Sequence, residues 1–424
     1  MRLSILTALS CVLLGAGLAF AITGLGPDEP ELEHVVSHDH SAAEAGFRQT
    51  MEGVLATRIE SGNRIETLRN GDEIFPAMLK AIAEARSTIN FATYIYWSGE
   101  IANAFADALS ERARAGVRIN VILDFVGSLE MDERLIRQME AAGVRLIHFR
   151  PLHWYSIDRF NYRSHRKVLV TDGRIGFTGG VGIADKWKGD ARNPNEWRDT
   201  HYRLEGPVVK GLQAAFAENW LEATGEILRG EGYFPVPAEV GTVAMQPMKS
   251  SPFSGSETLH LALMLALSAA ERHIRIGVAY FVPSETALQQ ILEARKRGVE
   301  VEIILPGMWT DTEEVRRASR HFWGELLQAG VKIYEYEPTM YHVKVVIIDD
   351  DWASLGSANF DERSFRLNDE INVHVFDRGF VAEQIRVFEE DKSRARPVSL
   401  AAWKGRPLHI KLSDWFWSWF RSQF

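Results

Sequence analysis

The chain has 424 residues, of which 46% are hydrophobic and 25% are charged, enough for two ordinary domains with real cores. Its formal net charge of -9 argues against a general polyanion binder, so we expect no nucleic-acid partner. The single cysteine, Cys11, excludes an intramolecular disulfide and a cysteine-based metal cluster.

The N-terminus is apolar and carries no charged residue from Leu3 to Pro27. This run is long enough to cross a bilayer, which needs about 20 apolar residues. A basic residue precedes it and acidic residues follow it, which favours an N-terminus inside the cytoplasm and the remainder outside. We therefore predict a transmembrane anchor at residues 1–27. The alternative is a cleaved signal peptide, because Ala19-Phe20-Ala21 suits a signal-peptidase site.

Residues 28–60 are acidic and polar with little periodicity, and we interpret them as a linker. The first domain, residues 61–246, alternates strands and helices, which implies a largely parallel sheet with helices on its faces. The predicted elements are helix 74–85, strand 89–97, helix 100–115, strand 117–124, helix 131–142, strand 144–148, strands 167–171 and 174–178, a strand following Asp199, and helix 208–223.

The same order repeats after a predicted interdomain link at residues 247–258, which is rich in proline, serine and glycine. In the second domain, residues 259–398, the predicted equivalents are helix 259–270, strand 273–282, helix 286–297, strand 299–305, helix 313–329 and strand 331–336. We therefore predict an α/β fold of two tandem duplicated domains, packed about a pseudo-two-fold axis.

Two stretches do not fit the alternation. Residues 150–163 mix aromatic and basic side chains, and we interpret them as part of a substrate rim or as an ordinary packed loop. The tail, residues 399–424, carries aromatic and leucine side chains at helical spacing among basic residues. This pattern favours an amphipathic helix at a bilayer surface, with a terminal helix docked on the core as the alternative.

One motif occurs twice and carries the chemistry. Its two copies are His165, Lys167, Asp172 and Gly179-Gly180, and then His342, Lys344, Asp349 and Gly356-Ser357-Ala358-Asn359. In both copies Lys follows His by two residues, Asp follows Lys by five, and glycine follows Asp by seven. Four residue types repeated at three spacings argue against an incidental His–Lys doublet in an ordinary strand.

Two imidazoles and two ammonium groups that meet at one point suit a phosphodiester. A histidine can attack phosphorus or protonate the leaving alcohol, and a lysine can hold a phosphoryl oxygen. We predict a covalent phosphohistidine on one histidine, while the other serves first as acid and then as base. No metal or other cofactor is required, because the two lysines supply the positive charge. Backbone N–H groups near Gly180 and Ser357 would also cradle the phosphate.

A nucleophilic histidine also needs an orienting acceptor on its other nitrogen. Asp199 and Glu370 follow the two motifs at similar distances, and we assign this role to them, one for each histidine, with the pairing left open. Asp172 and Asp349 count among the catalytic motif residues. Each lies at a strand turn, where Asp commonly bonds the local backbone, so we expect a mainly structural role.

These residues resemble the phospholipase D superfamily, whose motif is HxK, four residues, Asp, six residues and then GSxN. The stretches 70–76 and 356–368 are similar to bacterial phospholipase D-type cardiolipin synthases, and the resemblance covers about residues 60–395. It implies two phospholipase D-like αβα domains with one shared site, His165 as nucleophile and His342 as acid. The first copy departs from the pattern, since Gly182 stands where Asn359 stands in the second. We expect one copy to hold the substrate less tightly there.

The resemblance implies a phosphatidyltransferase that makes cardiolipin from two molecules of phosphatidylglycerol, an anionic phospholipid, and releases glycerol. It also implies a bacterial inner membrane location, and the charge asymmetry around the N-terminal run predicts that the catalytic domains lie on the non-cytoplasmic side. One alternative is hydrolysis to phosphatidic acid, since the sequence does not separate an alcohol acceptor from water. A nuclease or other phosphodiesterase and a binding scaffold with an inactive site are further alternatives. The acidic balance weighs against the nuclease, and the intact His and Lys pairs weigh against the scaffold.

Overall fold

The computed structural model describes residue 32 and residues 34–152, 161–252 and 257–424. The predicted anchor at residues 1–27 lies outside the described residues, as does most of the predicted rim, residues 153–160. In the part of the chain that is described, no helix combines the length and the apolar character needed to cross a bilayer.

One sheet of 15 strands runs through both halves of the molecule. The first half contributes β1 Glu60–Arg69, β2 Thr88–Thr93, β3 Arg118–Asp124, β4 Arg145–Phe149, β5 Val168–Thr171, β6 Ile175–Gly179 and β7 Thr200–Glu205. The second half contributes β8 Val243–Ser250, β9 His273–Val278, β10 Phe281–Val282, β11 Glu300–Pro306, β12 Lys332–Tyr336, β13 Lys344–Ile348, β14 Trp352–Gly356, β15 Phe360–Asp361, β16 Glu370–Val375 and β17 Ala395–Pro397. Strands β10 and β15 form a separate two-stranded sheet.

The strand order of the large sheet is symmetrical. It reads β17-β12-β11-β9-β13-β14-β16-β8-β1-β7-β6-β5-β2-β3-β4, so equivalent strands follow each other outward from the central pair β8–β1. The predicted duplication about a pseudo-two-fold axis is therefore confirmed. The prediction of a largely parallel sheet is wrong. Within the large sheet only β2-β3-β4 and β9-β11-β12 are parallel, because helical crossovers join those strands, whereas the motif strands form antiparallel hairpins.

Helices cover both faces of the sheet. They are α1 Ala45–Leu55, α2 Asn70–Glu84, α3 Glu100–Arg114, α4 Glu133–Ala141, α5 Val209–Thr224, α6 Thr258–Ser268, α7 Glu285–Lys296, α8 Glu313–Gln328, α9 Arg378–Ser393, α10 Leu400–Lys404 and α11 Leu408–Ser418. Alternate residues of a strand point to opposite faces. Val121 and Leu123 of β3 accordingly pack with α2 and α3, whereas Ile122 packs with α5. Both faces of β3 are thus buried.

The predicted linker at residues 28–60 is wrong over its second half, which contains α1 and the start of β1. Phe47, Met51 and Leu55 are four residues apart and place one face of α1 in the core of the second half. The residues before α1 also contact that half, since the Val36 N–H donates to Gln290 Oε1 over 2.7 Å. Residues 36–55 therefore pack on the second half, although they precede the first.

The predicted interdomain link at residues 247–258 is wrong for its first four residues, which complete β8. Strand β8 pairs antiparallel with β1 of the first half and with β16 of the second. Pro247 and the serines after it suggested a loop, but Pro247 is paired with Val373 inside the ladder. A continuous sheet thus joins the two halves and fixes their relative position.

Candidate active site

Both histidines lie where the backbone of one half meets that of the other. The His165 N–H donates to the Asp369 carbonyl over 3.0 Å, and the His342 N–H donates to the Arg198 carbonyl over 2.8 Å. Asp369 directly precedes Glu370, and Arg198 directly precedes Asp199. These two equivalent contacts set each histidine beside the acidic residue that follows the motif of the opposite half.

Each imidazole bonds through Nδ1 to a buried carboxylate of that opposite half. His165 Nδ1 lies 2.8 Å from Glu370 Oε1, and His342 Nδ1 lies 2.7 Å from Asp199 Oδ2. An ionised carboxylate only accepts, so Nδ1 carries the proton in each neutral ring, and Nε2 is left with its lone pair. The pairing that the sequence left open is therefore crossed between the halves.

Burial and the neighbouring charges set the protonation states. Burial lowers the pKa of His165 to about 4, against the opposing effect of the Glu370 carboxylate. Burial, and then the charge of Lys344, lower the pKa of His342. Burial alone would raise the pKa of Asp199 and of Glu370, but the facing histidines hold both below their usual values. Both imidazoles are therefore neutral and both carboxylates are charged near neutral pH.

The two lysines fold back against their own histidines. Lys167 Nζ donates to the His165 carbonyl over 3.0 Å, and Lys344 Nζ donates to the His342 carbonyl over 2.8 Å. The two-residue spacing of the motif allows this contact, because alternate residues of an extended segment point to the same side. Burial lowers the pKa of Lys167 to about 7 and that of Lys344 to about 8. The Lys344 charge also lowers the pKa of His165 and of Lys167, so the motifs share one electrostatic environment.

The lysine pKa values predict an alkaline limit to activity. A lysine is charged below its pKa, so the charge of Lys167 is lost above about pH 7 and that of Lys344 above about pH 8, and with them the charges that would hold a phosphodiester. We expect kcat/KM to fall there by at least about tenfold per pH unit. Lys167→Arg should move the limit upward, since a guanidinium does not deprotonate. A pH profile with the same alkaline limit in that variant would contradict the assignment.

The aspartates of the motif stand away from the histidines. Asp172 and Asp349 both have positive φ, 54° and 49°. The Asp172 carboxylate accepts from the backbone N–H groups of residues 86–88, and the Asp349 carboxylate from those of residues 271–273, over 2.6–2.9 Å. They follow strands β5 and β13 at the ends opposite the histidines, seven residues further along the chain, a reach of up to about 23 Å at about 3.3 Å per residue. Their inclusion among the catalytic residues is therefore corrected, since their contacts hold the fold.

The small residues Gly180 and Ser357 contact the carboxylates of Asp199 and Glu370. The Ser357 hydroxyl donates to Glu370 Oε2 over 2.5 Å, and a Cβ at Gly180 would lie only 2.2 Å from Asp199 Oδ1. The N–H groups of Gly180 and Ser357 bond to the carbonyls of the neighbouring strands β7 and β16. The prediction that these N–H groups cradle the phosphate is therefore wrong. Gly180 instead leaves room for the shorter Asp199, and Ser357 supports the longer Glu370.

Trp187, which the sequence analysis did not single out, accounts for Gly182. Its indole Nε1 donates over 2.9 Å to Asp199 Oδ2, the oxygen that also accepts from His342. A Cβ at Gly182 would lie 2.9 Å from the Ile95 Cβ and 3.2 Å from the Trp187 ring. An asparagine there would have to displace the ring. The first half thus has an indole that supports the carboxylate where the second half has Asn359.

Aromatic rings surround the two imidazoles unequally. The ring centroids of Trp187 and Trp197 lie 5.3 and 5.6 Å from that of His342, whereas Tyr94 lies 5.4 Å from His165. Tyr94 and Trp197 were also not predicted as site residues. Aromatic faces within about 6 Å stabilise a cation, and indole does so best. His342 is therefore the better placed of the two to carry an extra proton during turnover.

Replacing Trp187 with Phe should keep an aromatic ring beside His342 but weaken the support of Asp199, and with it the proton transfer by His342. The variant loses a charge-assisted hydrogen bond to Asp199, of the kind worth about 1.5–3 kcal/mol, so we expect kcat to fall about tenfold to a hundredfold. Loss of the donor also raises the pKa of Asp199, so the acid limb of the kcat profile should move to higher pH. Trp352→Phe is the matched control, because the buried Trp352 Nε1 has no hydrogen-bond partner among the described residues. Equal losses in both variants would contradict this role.

The fold and the paired histidines define a phospholipase D-like protein. Phosphatidylserine synthase from Haemophilus influenzae superimposes with a TM-score of 0.64 over 88% of this chain and 97% of its own, at 14% sequence identity. Polyphosphate kinase from Porphyromonas gingivalis superimposes with a TM-score of 0.53 over 85% of this chain and 53% of its own, at 12% identity. At such low identity these similarities establish the fold alone.

The family follows from the sequence comparisons. The family model described as "Cardiolipin synthase, PLD-like domain" matches residues 78–189 and 263–392. Cardiolipin synthase 2 of Bacillus anthracis is 33% identical over 387 residues, 91% of this chain and 75% of that protein. Probable cardiolipin synthase YwiE of Bacillus subtilis is 36% identical over 350 residues, 80% of this chain and 68% of that protein. The chain belongs to the phospholipase D-like cardiolipin synthase family and is a phospholipase D-type phosphatidyltransferase.

Proposed function

We propose that the protein makes cardiolipin from two molecules of phosphatidylglycerol and releases glycerol. The observation that carries this proposal is the crossed pair of histidines, each held through Nδ1 by a carboxylate of the other half, with a lysine beside each. Such a pair suits two successive displacements at one phosphorus. The names of the relatives support a phospholipid as the donor.

In the first step, Nε2 of His165 attacks the phosphorus of phosphatidylglycerol, and the bond from phosphorus to the glycerol oxygen breaks. The anionic substrate favours protonation of His342, which then gives its proton to the departing glycerol. Lys167 and Lys344 stabilise the charge on the non-bridging oxygens. The product of this step is a phosphatidyl group bound to His165.

In the second step, His342 accepts the proton of a hydroxyl group on a second phosphatidylglycerol. The resulting oxygen attacks phosphorus, the bond from phosphorus to His165 breaks, and cardiolipin forms. Both imidazoles return to their starting state, so the cycle balances. Two features support this division of roles: the pKa of His165, lowered to about 4, keeps it a free nucleophile, and two indoles favour the cationic form of His342.

Lipid analysis tests the proposal directly. The purified full chain is incubated with phosphatidylglycerol vesicles, and the products are identified by mass spectrometry. We expect cardiolipin and glycerol in equal amounts, and neither from a control in which both His165 and His342 are replaced by Ala. Phosphatidic acid as the sole product would contradict the proposal and favour hydrolysis. Release of nucleotides from DNA with the lipids unchanged would favour the nuclease alternative.

We further propose that the enzyme works at the bacterial inner membrane, with both halves on the non-cytoplasmic side. The uncharged run from Leu3 to Pro27, with acidic residues after it, supports this orientation. Alkaline phosphatase fused after Phe424 should be active in cells, because that reporter folds only outside the cytoplasm. An inactive phosphatase fusion, with a fluorescent cytoplasmic reporter at the same position, would contradict the orientation.

A further inference from the structure

The last long helix of the chain buries polar side chains against the protein. Helix α11 packs on α8, and Asp414 in its middle is only 1% exposed. The Asp414 carboxylate accepts from Arg320 Nη2 over 2.8 Å, and the Ser413 hydroxyl accepts from Arg317 Nη1 over 2.7 Å. Ion pairs and hydrogen bonds therefore contribute to docking α11 on the protein and set which side faces outward.

The outward side of α11 and the residues just after it is apolar. Five large side chains stand there at helical spacing: Leu408 (72% exposed), Leu412 (55%), Trp415 (46%), Phe416 (46%) and Trp419 (62%). A helix that faces water normally shows the reverse arrangement, with its apolar side packed on the core. A contiguous apolar surface of this kind marks an interaction site.

The charge of the tail indicates what covers this surface. Residues 399–424 contain four basic residues and one acidic residue, Asp414, which gives +4 - 1 = +3, whereas the whole chain carries -9. The one acidic residue is buried and paired, while Lys404 and Lys411 are exposed. Aromatic side chains with basic neighbours suit the interface of a bilayer that contains anionic phospholipids. Both the apolar surface and the charge thus fit such a bilayer.

The first described residue lies near the end of the tail. Leu32, the first residue described, lines one surface cleft together with Arg421, just beyond α11. The Leu32 carbonyl accepts from Thr286 Oγ1 over 2.6 Å, which fixes this point on α7. The segment that precedes it contains no charge from Leu3 to Pro27. Leu32 and the end of the tail, far apart in sequence, therefore lie at one region of the surface.

The end of the tail also contacts both motif loops. The Phe424 carbonyl accepts from the Arg363 N–H over 2.8 Å, and Gln423 Oε1 accepts from Asn161 Nδ2 over 2.6 Å. Arg363 lies four residues after Asn359, and Asn161 lies four residues before His165. A bilayer that covered α11 would therefore lie close to the loops that lead into the two motifs.

We propose that the exposed side of α11 inserts into the surface of an anionic phospholipid bilayer and holds the active-site opening at the lipid headgroups. The docking itself follows from the helix and its charge, whereas its benefit to catalysis rests on the proposed function. Transfer between two lipids requires both to reach one site. A surface fixed on the bilayer brings the donor and the acceptor there without extracting either into water.

Lipid-borne quenching tests the docking without reference to activity. In the full chain with Cys11→Ser, an NBD fluorophore is attached at Leu412→Cys or at the control Ile227→Cys. Ile227 is exposed and lies beside Glu226, which pairs with Arg145 on β4 at the opposite edge of the sheet. In vesicles of phosphatidylglycerol and phosphatidylethanolamine, doxyl-labelled lipid should quench the label at 412 at least threefold more than that at 227. Equal quenching at both positions, or none, would overturn the proposal.

A paired activity assay separates this proposal from the proposed function. Leu412→Ser with Trp415→Ser should lower transfer on vesicles at least tenfold, and leave transfer on dissolved short-chain phosphatidylglycerol and the Tm unchanged. Val54→Ser with Ile227→Ser, two exposed apolar residues elsewhere, should change neither. Quenching at 412 without transfer by the unaltered chain would refute the proposed function and leave the docking standing. Self-association through α11, lost in the double variant and without lipid quenching, would identify a second copy as the occupant and refute the bilayer.

Discussion

With a phosphodiester whose leaving group departs without protonation, such as p-nitrophenolate, His342→Ala is expected to release one equivalent of p-nitrophenolate per site and then stop. His165→Ala is expected to release none above background. The reason is that His165 forms the covalent bond, whereas His342 supplies a proton that this leaving group does not need. Stopped-flow absorbance measures the burst, and mass spectrometry of the acid-labile adduct should locate the phosphoryl group on the peptide that contains His165.

The natural donor gives the matching control. With phosphatidylglycerol, the kcat of both variants should fall by about 10⁴-fold or more, since the two histidines act as a unit and the loss of either one disables it. His374→Gln, which replaces a buried histidine bonded to Gln246 outside the motifs, should retain the unaltered burst. A burst from His165→Ala and none from His342→Ala would reverse the assigned roles. An adduct on a residue other than histidine would refute the histidine mechanism.

Local sequence patterns identified the chemical groups of the site but not their partners. The repeat with its fixed spacings marked His165 and His342, and the two acidic residues were predicted as acceptors from their place after each motif. Their crossed pairing depends on bonds between residues more than 140 positions apart, such as that from the His342 N–H to the Arg198 carbonyl. The symmetrical sheet creates these contacts, and no local periodicity encodes them.

Other features were not predicted because one residue type can occur in more than one structural context. Proline is normally excluded from the interior of a sheet, yet Pro247 lies within the ladder that joins the halves. Phe47, Met51 and Leu55 span only about two and a half turns of a helix, too few to stand out in a polar segment. The role of Trp187 depends on the contact of its ring with Gly182, which no local pattern encodes. The parallel order was overestimated because the hairpin at each motif reverses the direction of the chain.

The two halves reach the same histidine–carboxylate contact by different means. In the first half, the shorter Asp199 reaches His342 with the help of Gly180, which leaves it room, and Trp187, which donates to it. In the second half, the longer Glu370 accepts from the Ser357 hydroxyl. Each carboxylate therefore has a second donor that fixes its orientation. The asymmetry suits a cycle in which one histidine is always the nucleophile and the other always moves the proton.

This division predicts that the two carboxylates govern different steps. Glu370→Gln removes the charge behind His165 and leaves an amide that disturbs its tautomer, so formation of the phosphatidyl-enzyme from the p-nitrophenyl donor should slow about 10³- to 10⁴-fold. Asp199→Asn should leave that formation within a few-fold of the unaltered rate. It should slow transfer to phosphatidylglycerol by a similar 10³- to 10⁴-fold, because His342 must accept the proton of the acceptor. Single-turnover kinetics resolve the two steps.

Glu257→Gln is the matched control, because Glu257 Oε2 also faces a histidine nitrogen, His260 Nδ1, over 2.8 Å, but outside the two motifs. That variant should leave both steps unchanged. If Glu370→Gln slowed only transfer while Asp199→Asn slowed only formation, the nucleophile would be His342. If both variants slowed both steps equally, the carboxylates would act on the site as a whole, and the separate roles assigned to the two histidines would be wrong. Because each carboxylate is bonded to a different histidine of the two motifs, the rates of the two steps report which histidine acts in which step.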